Sequence, residues 1–215
     1  MKFDDFLNNL PNLHSWDGGE TWNTGGFERY HLDTLISFLK PNVGLHPKFL
    51  ETGAGCSTIA LLFLQPSKLT SIAPEASLFD RIVDYCRSNQ ISTSSLVAKI
   101  ARSEWELAVL ANNGRSEAEL DFALIDGGHG WPTVFVDFFY VNYLLREGGY
   151  VMIDDIQLKT VRELANLLFE QPGYKLVLNL GKSLVFRKET ADRYLPEWNG
   201  QPYIVEQSKL LSTTL

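Results

Sequence analysis

Residues 49–64 read FLETGAGCSTIALLFL. The stretch opens apolar at Phe49 and Leu50, turns acidic at Glu51, and passes through Gly53 and Gly55. It then runs on as an apolar segment long enough for a helix. A short strand, an acid, a GxG turn and a helix follow one another without a linker. Glycines at such a turn let a backbone or a ligand come close. A carboxylate at the strand end repels a diphosphate and favours a cationic or amine-bearing ligand. The third glycine of a dinucleotide fingerprint is absent, since Ser57 and Ile59 occupy that region.

The same unit recurs downstream. KLTSIA (68–73), SSLVAKI (94–100), LDFALID (120–126) and GGYVMID (148–154) read as strands. The helical patterns after them are SLFDRIVDYCRSN (77–89), SEWELAVLAN (103–112), WPTVFVDFFYVNYLLR (131–146) and KTVRELANLLFE (159–170). YKLVLNL (174–180) and SLVFRKE (183–189) then form a hairpin split by Gly181 and Lys182. Strand–helix alternation of this kind predicts an α/β fold, a doubly wound, mostly parallel seven-stranded sheet whose last strand pair is antiparallel. Upstream, residues 1–26 read as an irregular arm, and FERYHLDTLISFL (27–39) as an amphipathic helix closed by Pro41. The expected organisation is an arm and helix over 1–44 that could cover a pocket, a main domain over 45–188, and an irregular tail over 189–215 packed on the same domain.

Bulk composition narrows the function classes. The 215 residues suit one sizeable domain, with 45% hydrophobic residues, 12% aromatics and a formal charge of -7. No Lys/Arg cluster marks a nucleic-acid footprint. No apolar run is long enough to span a bilayer, and the N-terminus has no signal-peptide core. The two cysteines, Cys56 and Cys86, lack metal or redox spacing and read as reduced thiols of a cytoplasmic protein.

In open α/β sheets, ligands bind beyond the carboxyl ends of the strands. LIDGGHGW (124–131) places Asp126 at such an end, with His129 on the turn after it. VMIDDIQ (151–157) places Asp154 and Asp155 at another. Carboxylates gathered there repel unless a cation or a proton intervenes. An oxygen-only set, Asp126, Asp154 and Asp155, suits Mg²⁺ or another divalent cation. His129, with an ordinary pKa near neutrality, is the candidate base, and Asp126 the carboxylate beside it.

ETGAGCST, IDGGH and GGYVMIDDI together resemble the class I S-adenosylmethionine (SAM)-dependent methyltransferases. They look most like the small metal-dependent O-methyltransferases, over roughly residues 45–188. The resemblance implies a Rossmann-like methyltransferase fold with SAM as cofactor. Glu51, Gly53 and Gly55 would face its methionine part, and Thr52, Ser57, Asp126 and Gly127 would also bind the cofactor. Ala73 stands where relatives carry a ribose-binding acid, which shifts that role to Glu75. Ser103 would flank the adenine, or cap its helix with Glu106. The implied activity is methylation of a small hydroxylated molecule, with divalent-metal assistance by Asp126, Asp154 and Asp155. The reading includes no nucleic-acid or membrane partner and allows a homo-oligomer. Trp16, Trp22, His14 and His31 would either anchor the arm or meet the acceptor.

Two other classes compete. A non-catalytic cofactor-binding or scaffold protein would keep the pocket without the chemistry. A nicotinamide oxidoreductase would call for the third glycine and usually a Tyr-xxx-Lys pair, and no tyrosine here has a lysine four positions on.

Overall fold

The computed structural model describes residues 1–16, 21–22, 26–113 and 119–212. They fall into two compact units: Met1–Glu106 with Asp126–Gly128, and Leu107–Ile125 with His129–Leu215.

The first unit begins with helix α1 (Phe3–Asn8), a small antiparallel pair β1 (Ser15–Trp16) and β2 (Thr21–Trp22), and helix α2 (Arg29–Asn42). Three strand–helix repeats follow: β3 (Lys48–Thr52), α3 (Cys56–Leu62), β4 (Lys68–Ala73), α4 (Ala76–Ser88), β5 (Leu96–Ile100) and the start of α5 (Ser103–Asn112). β3, β4 and β5 pair in parallel, with Glu51 opposite Ser71 and Thr52 opposite Ile72. β3 is buried without a break from Phe49 to Thr52, as a central parallel strand covered on both faces requires. α2 buries Leu32, Leu35, Ile36 and Leu39, a single stripe at helical spacing. It runs on to Asn42 rather than closing before Pro41, and Val43 N–H still bonds Leu39 C=O at 2.9 Å. The described part of the arm holds more regular structure than its composition predicts. Phe6 of α1 is fully buried and stacks near Phe3, Phe63 and Tyr85, an aromatic cluster that fixes α1 to α3 and α4.

The second unit holds the rest of α5, then β6 (Leu120–Ile125), α6 (Thr133–Leu144), β7 (Leu145–Ile153), α7 (Lys159–Glu170), β8 (Tyr174–Asn179), β9 (Leu184–Lys188) and α8 (Pro202–Ser212). β6 and β7 are parallel, and β9 pairs antiparallel with both β7 and β8. β7 starts at Leu145, three residues before the glycines where sequence placed it, so α6 ends earlier. The tail, expected to be irregular, contains α8. α7 buries Val161, Leu164, Ala165 and Leu168 at helical spacing. The Lys188 ammonium is fully enclosed and donates to Asn142 C=O (2.7 Å) and Leu145 C=O (3.1 Å).

The seven longer strands form one sheet in the order β5-β4-β3-β6-β7-β9-β8, mostly parallel with an antiparallel final pair, as the alternation predicted. The chain moves outward from β3 to β5 and then resumes at β6, so its direction across the sheet reverses after β5. Among the described residues, no helix is long and apolar enough to cross a membrane.

Candidate functional site

In the first unit, the carboxyl end of β3 is locked to the Asp126–Gly127 turn by backbone contact. Asp126 N–H bonds Thr52 C=O at 3.0 Å and Thr52 Oγ1 at 3.3 Å. Gly53 adopts φ +88°, and a Cβ there would stand 2.3 Å from the Asp126 carbonyl oxygen. A Cβ on Gly127 would press Thr52 at 3.2 Å. These glycines therefore exist first for each other: two turns interlock where any side chain would force them apart. Gly55 has a different reason, because a Cβ there would lie 2.7 Å from His14 Nε2.

His14 belongs to an arm segment moored on this loop. Arg81 Nε donates to Leu13 C=O (2.7 Å), Cys56 Sγ approaches Pro11 C=O (3.5 Å), and His14 bonds the Ala54 backbone. Burial, and then the Arg81 charge, push the imidazole below its ordinary pKa. Between arm and loop lies a cavity of about 410 Å³, lined in part by His14, Gly55, Cys56, Ser57 and Asp126. The side chains of Trp16 and Trp22, expected near this region, lie outside the described residues. His31 stands against Phe27 and Tyr30 as part of α2.

Glu51, expected at the methionine part of the cofactor, lies inside the scaffold. It has no exposed surface, and its carboxylate is held by three hydroxyls. Thr58 Oγ1 and Ser71 Oγ each donate to Oε1 at 2.5 Å, and Ser57 Oγ donates to Oε2 at 2.9 Å. Burial pushes its pKa up to about 7 against the opposing pull of those bonds. It does not face the cavity directly. Ser57 lines the cavity but commits its proton to Glu51. Thr52 is likewise fully buried.

Glu75 immediately precedes α4 and is half exposed, paired with Arg81 Nη2 (2.8 Å) and Ser77 Oγ (2.5 Å). Those bonds, Ser77's first, lower its pKa. Ser103 is buried as the first residue of α5. Glu106 pairs with Lys99 at 2.8 Å, and its N–H bonds Arg102 C=O.

The second unit gathers its charges at the end of β7. Asp154 is 1% exposed and has both oxygens engaged: Ser183 Oγ donates to Oδ1, and Lys182 Nζ to Oδ2 at 2.9 Å. Asp155 sits in the left-handed region at φ +62°, which a non-glycine residue holds only when its surroundings fix it. Lys182 Nζ (3.2 Å) and Gln157 Nε2 (2.9 Å) donate to its Oδ1, and His129 Nε2 stands 3.6 Å from its Oδ2. Burial raises the Asp155 carboxyl. The bonds from Gln157 and Lys182, with the charges of Lys182 and His129, outweigh it and leave the pKa lowered. Burial likewise lowers the Lys182 ammonium, and its bonds to Asp154 and then Asp155 carry it above its ordinary value.

Asp154, expected among the metal ligands, thus has both oxygens taken by groups of the chain itself. The cation that the carboxylates demand at this position is Lys182, a residue the sequence reading used only as a turn marker. In the sheet Leu184 pairs with Ile153, so residues 182–183 fall beside 154–155. His129 and Asp155 remain together as a pair of metal-ligating type.

No known protein family matches the chain, and no curated protein matches it in sequence. Solved structures do. The chain is similar to the O-methyltransferase TomG from Streptomyces achromogenes, involved in tomaymycin synthesis and solved with SAM. The TM-score is 0.71 at 16% identity, over 88% of this chain and 92% of that one. The fold is that of the Rossmann-like methyltransferases. An O-methyltransferase from Bacillus cereus in complex with SAH shares it with a TM-score of 0.63 at 14% identity, over 77% of this chain and 84% of that one. An rRNA methylase from Streptococcus thermophilus shares it with a TM-score of 0.55 at 16% identity, over 73% and 95%. The methyltransferase fold thus carries unlike acceptors, and any acceptor preference has to come from the site.

Proposed function

We propose that this chain is a SAM-dependent methyltransferase that acts on a hydroxyl oxygen of a small acceptor. The observation that supports this best is the cavity against the glycine loop. It lies at the carboxyl end of β3 and is lined in part by Asp126 and His14. A carboxylate there suits a ligand carrying an ammonium and a sulfonium, and opposes the diphosphate of a nicotinamide cofactor. When bound, SAM supplies an electrophilic methyl group.

The chain's own groups do the rest. Gly53, Gly55 and Gly127 keep side chains away from the loop, and Asp126 offers the carboxylate to a cationic ligand. His129 accepts the acceptor's hydroxyl proton at its imidazole, with Asp155 3.6 Å from Nε2 to stabilise the imidazolium. Positioning of the acceptor oxygen accounts for the remaining rate. Divalent-metal assistance, as the alternative to His129 acting as base, would use His129 and Asp155 as ligands. A bound ion would polarise the acceptor hydroxyl, in competition with Lys182 for the Asp155 carboxylate. Asp154 takes no part in it. The main domain over 45–188 carries this activity in the proposal, with the arm over 1–44 as cover.

Calorimetric titration with S-adenosylhomocysteine (SAH) tests the reading. Micromolar binding, followed by methyl transfer to a hydroxylated acceptor panel, is the expected result. Absence of SAH binding with or without Mg²⁺ refutes it. Binding without transfer to any acceptor instead favours the non-catalytic cofactor-binding reading.

A further inference from the structure

We infer that Glu51 is a positioning residue, which aims the glycine loop through Thr58 and does not itself touch the cofactor. The inference rests on the methyltransferase reading for its binding assay, and on geometry alone for its structural one.

The argument is one of hydrogen-bond direction. A threonine hydroxyl has one proton to give and lone pairs to offer. Thr58 Oγ1 gives its proton to Glu51 Oε1 at 2.5 Å, so its lone pair is left to accept from Gly55 N–H at 2.9 Å. The chain Gly55 N–H, Thr58 O–H, Glu51 carboxylate therefore has a single polarity. Without an acceptor at position 51, the Thr58 rotor is released and Gly55 N–H loses a partner with defined orientation. The same carboxylate is tied to β4 by Ser71, its neighbour in register, and to α3 by Ser57. One buried group thus fixes the loop to the adjacent strand and to the helix that follows it. Gly55 and Ser57 both line the cavity. With no exposed surface and every bond directed at this scaffold, Glu51 acts on the cavity only through these neighbours.

Glutamine separates this role from direct contact. Its carbonyl oxygen can stand at Oε1 and accept from Thr58 and Ser71, while its amide donates to a turned Ser57 hydroxyl. A residue that held the cofactor's ammonium by charge would fail as glutamine. The test is SAH titration of wild type, Glu51→Gln, Glu51→Ala, Thr58→Val and the Glu51→Ala/Thr58→Val double variant, with amide hydrogen exchange of Gly55 measured in each. Glu51→Gln should bind within threefold of wild type with Gly55 protected. Glu51→Ala and Thr58→Val should each weaken binding tenfold or more and expose Gly55 to exchange. The double variant should be no worse than the poorer single, because the two act in series.

A Glu51→Gln loss equal to that of Glu51→Ala overturns the inference in favour of charge contact, and so do additive losses. If Glu51→Ala does not fold, Thr58→Val and Glu51→Gln carry the comparison. If wild type does not bind SAH, the proposed function fails, but Gly55 exchange still decides the relay. Unchanged Gly55 protection in Thr58→Val would sink it.

Discussion

Replacing Glu51 with glutamine should change how stability depends on pH, by an amount the site itself sets. The folded carboxyl has its pKa raised from 4.5 to about 7, chiefly by burial. An acid whose pKa is raised on folding binds more protons folded than unfolded. The contribution of Glu51 to stability is therefore greatest below about pH 4.5, falls as pH rises towards 7, and is level above it. A shift of this size corresponds to roughly 3 kcal/mol between the two plateaus. Glutamine does not titrate, keeps the volume and keeps an acceptor for Thr58 and Ser71. Urea unfolding of both proteins at pH 5 and pH 8 isolates the effect, because every other titrating group cancels in the difference. The stability of Glu51→Gln relative to wild type should rise by about 2–3 kcal/mol from pH 5 to pH 8. Near the thermal midpoint that is on the order of 5–10 °C for a chain of this size. Two profiles that stay parallel across this range would show that Glu51 titrates normally, and that its burial and hydroxyl cage do not govern its charge.

Other perturbations address other parts of the molecule. Gly53→Ala should cost about 2–3 kcal/mol in denaturant melts and abolish SAH binding, since it combines a left-handed φ with a Cβ 2.3 Å from the Asp126 carbonyl oxygen. Wild-type stability with normal SAH affinity would mean the two turns separate freely. Lys182→Met should destabilise by about 3 kcal/mol, because it strips the counter-charge from a carboxylate that is 1% exposed. The same variant should bind Mg²⁺ at least tenfold more tightly than wild type, and weaker binding would remove the competition argued for Lys182. His129→Gln should lower kcat by 10²–10⁴ while KM for SAM changes little. An unchanged kcat would dismiss it as the base.

The parts of the fold that proved readable were those with local causes. FLETGAGCSTIALLFL declares a strand, a turn and a helix within one short window, and KTVRELANLLFE marks all of α7 because the stripe Val161, Leu164, Ala165 and Leu168 is periodic. Features that depend on distant pairing were not readable in the same way. Lys182 reaches Asp154 across 28 residues only because β9 folds back antiparallel on β7. A carboxylate pair in sequence signals the need for a cation, and gives no sign whether the chain supplies it. Glu51 shows the same limit: its position at a strand end suggested a ligand, but Ser71, its partner in β4, lies 20 residues away. The glycines were read correctly as close-approach positions, but the approaching groups turned out to be Asp126 and His14.

The two thiols follow from the same architecture and make the protein its own reporter. Cys56 is half-buried on the wall of the cavity, while Cys86 is wholly enclosed, and burial raises both to a pKa of about 11. Neither alkylates readily, since the thiolate is the reacting form, yet each is released by a different event. A ligand in the cavity should shield Cys56 and slow its labelling in proportion to occupancy. Cys86 should label only when the fold opens, at a rate that follows the unfolding equilibrium. Mass spectrometry of one alkylated sample would then read a binding isotherm from one cysteine and a stability curve from the other, with no probe attached.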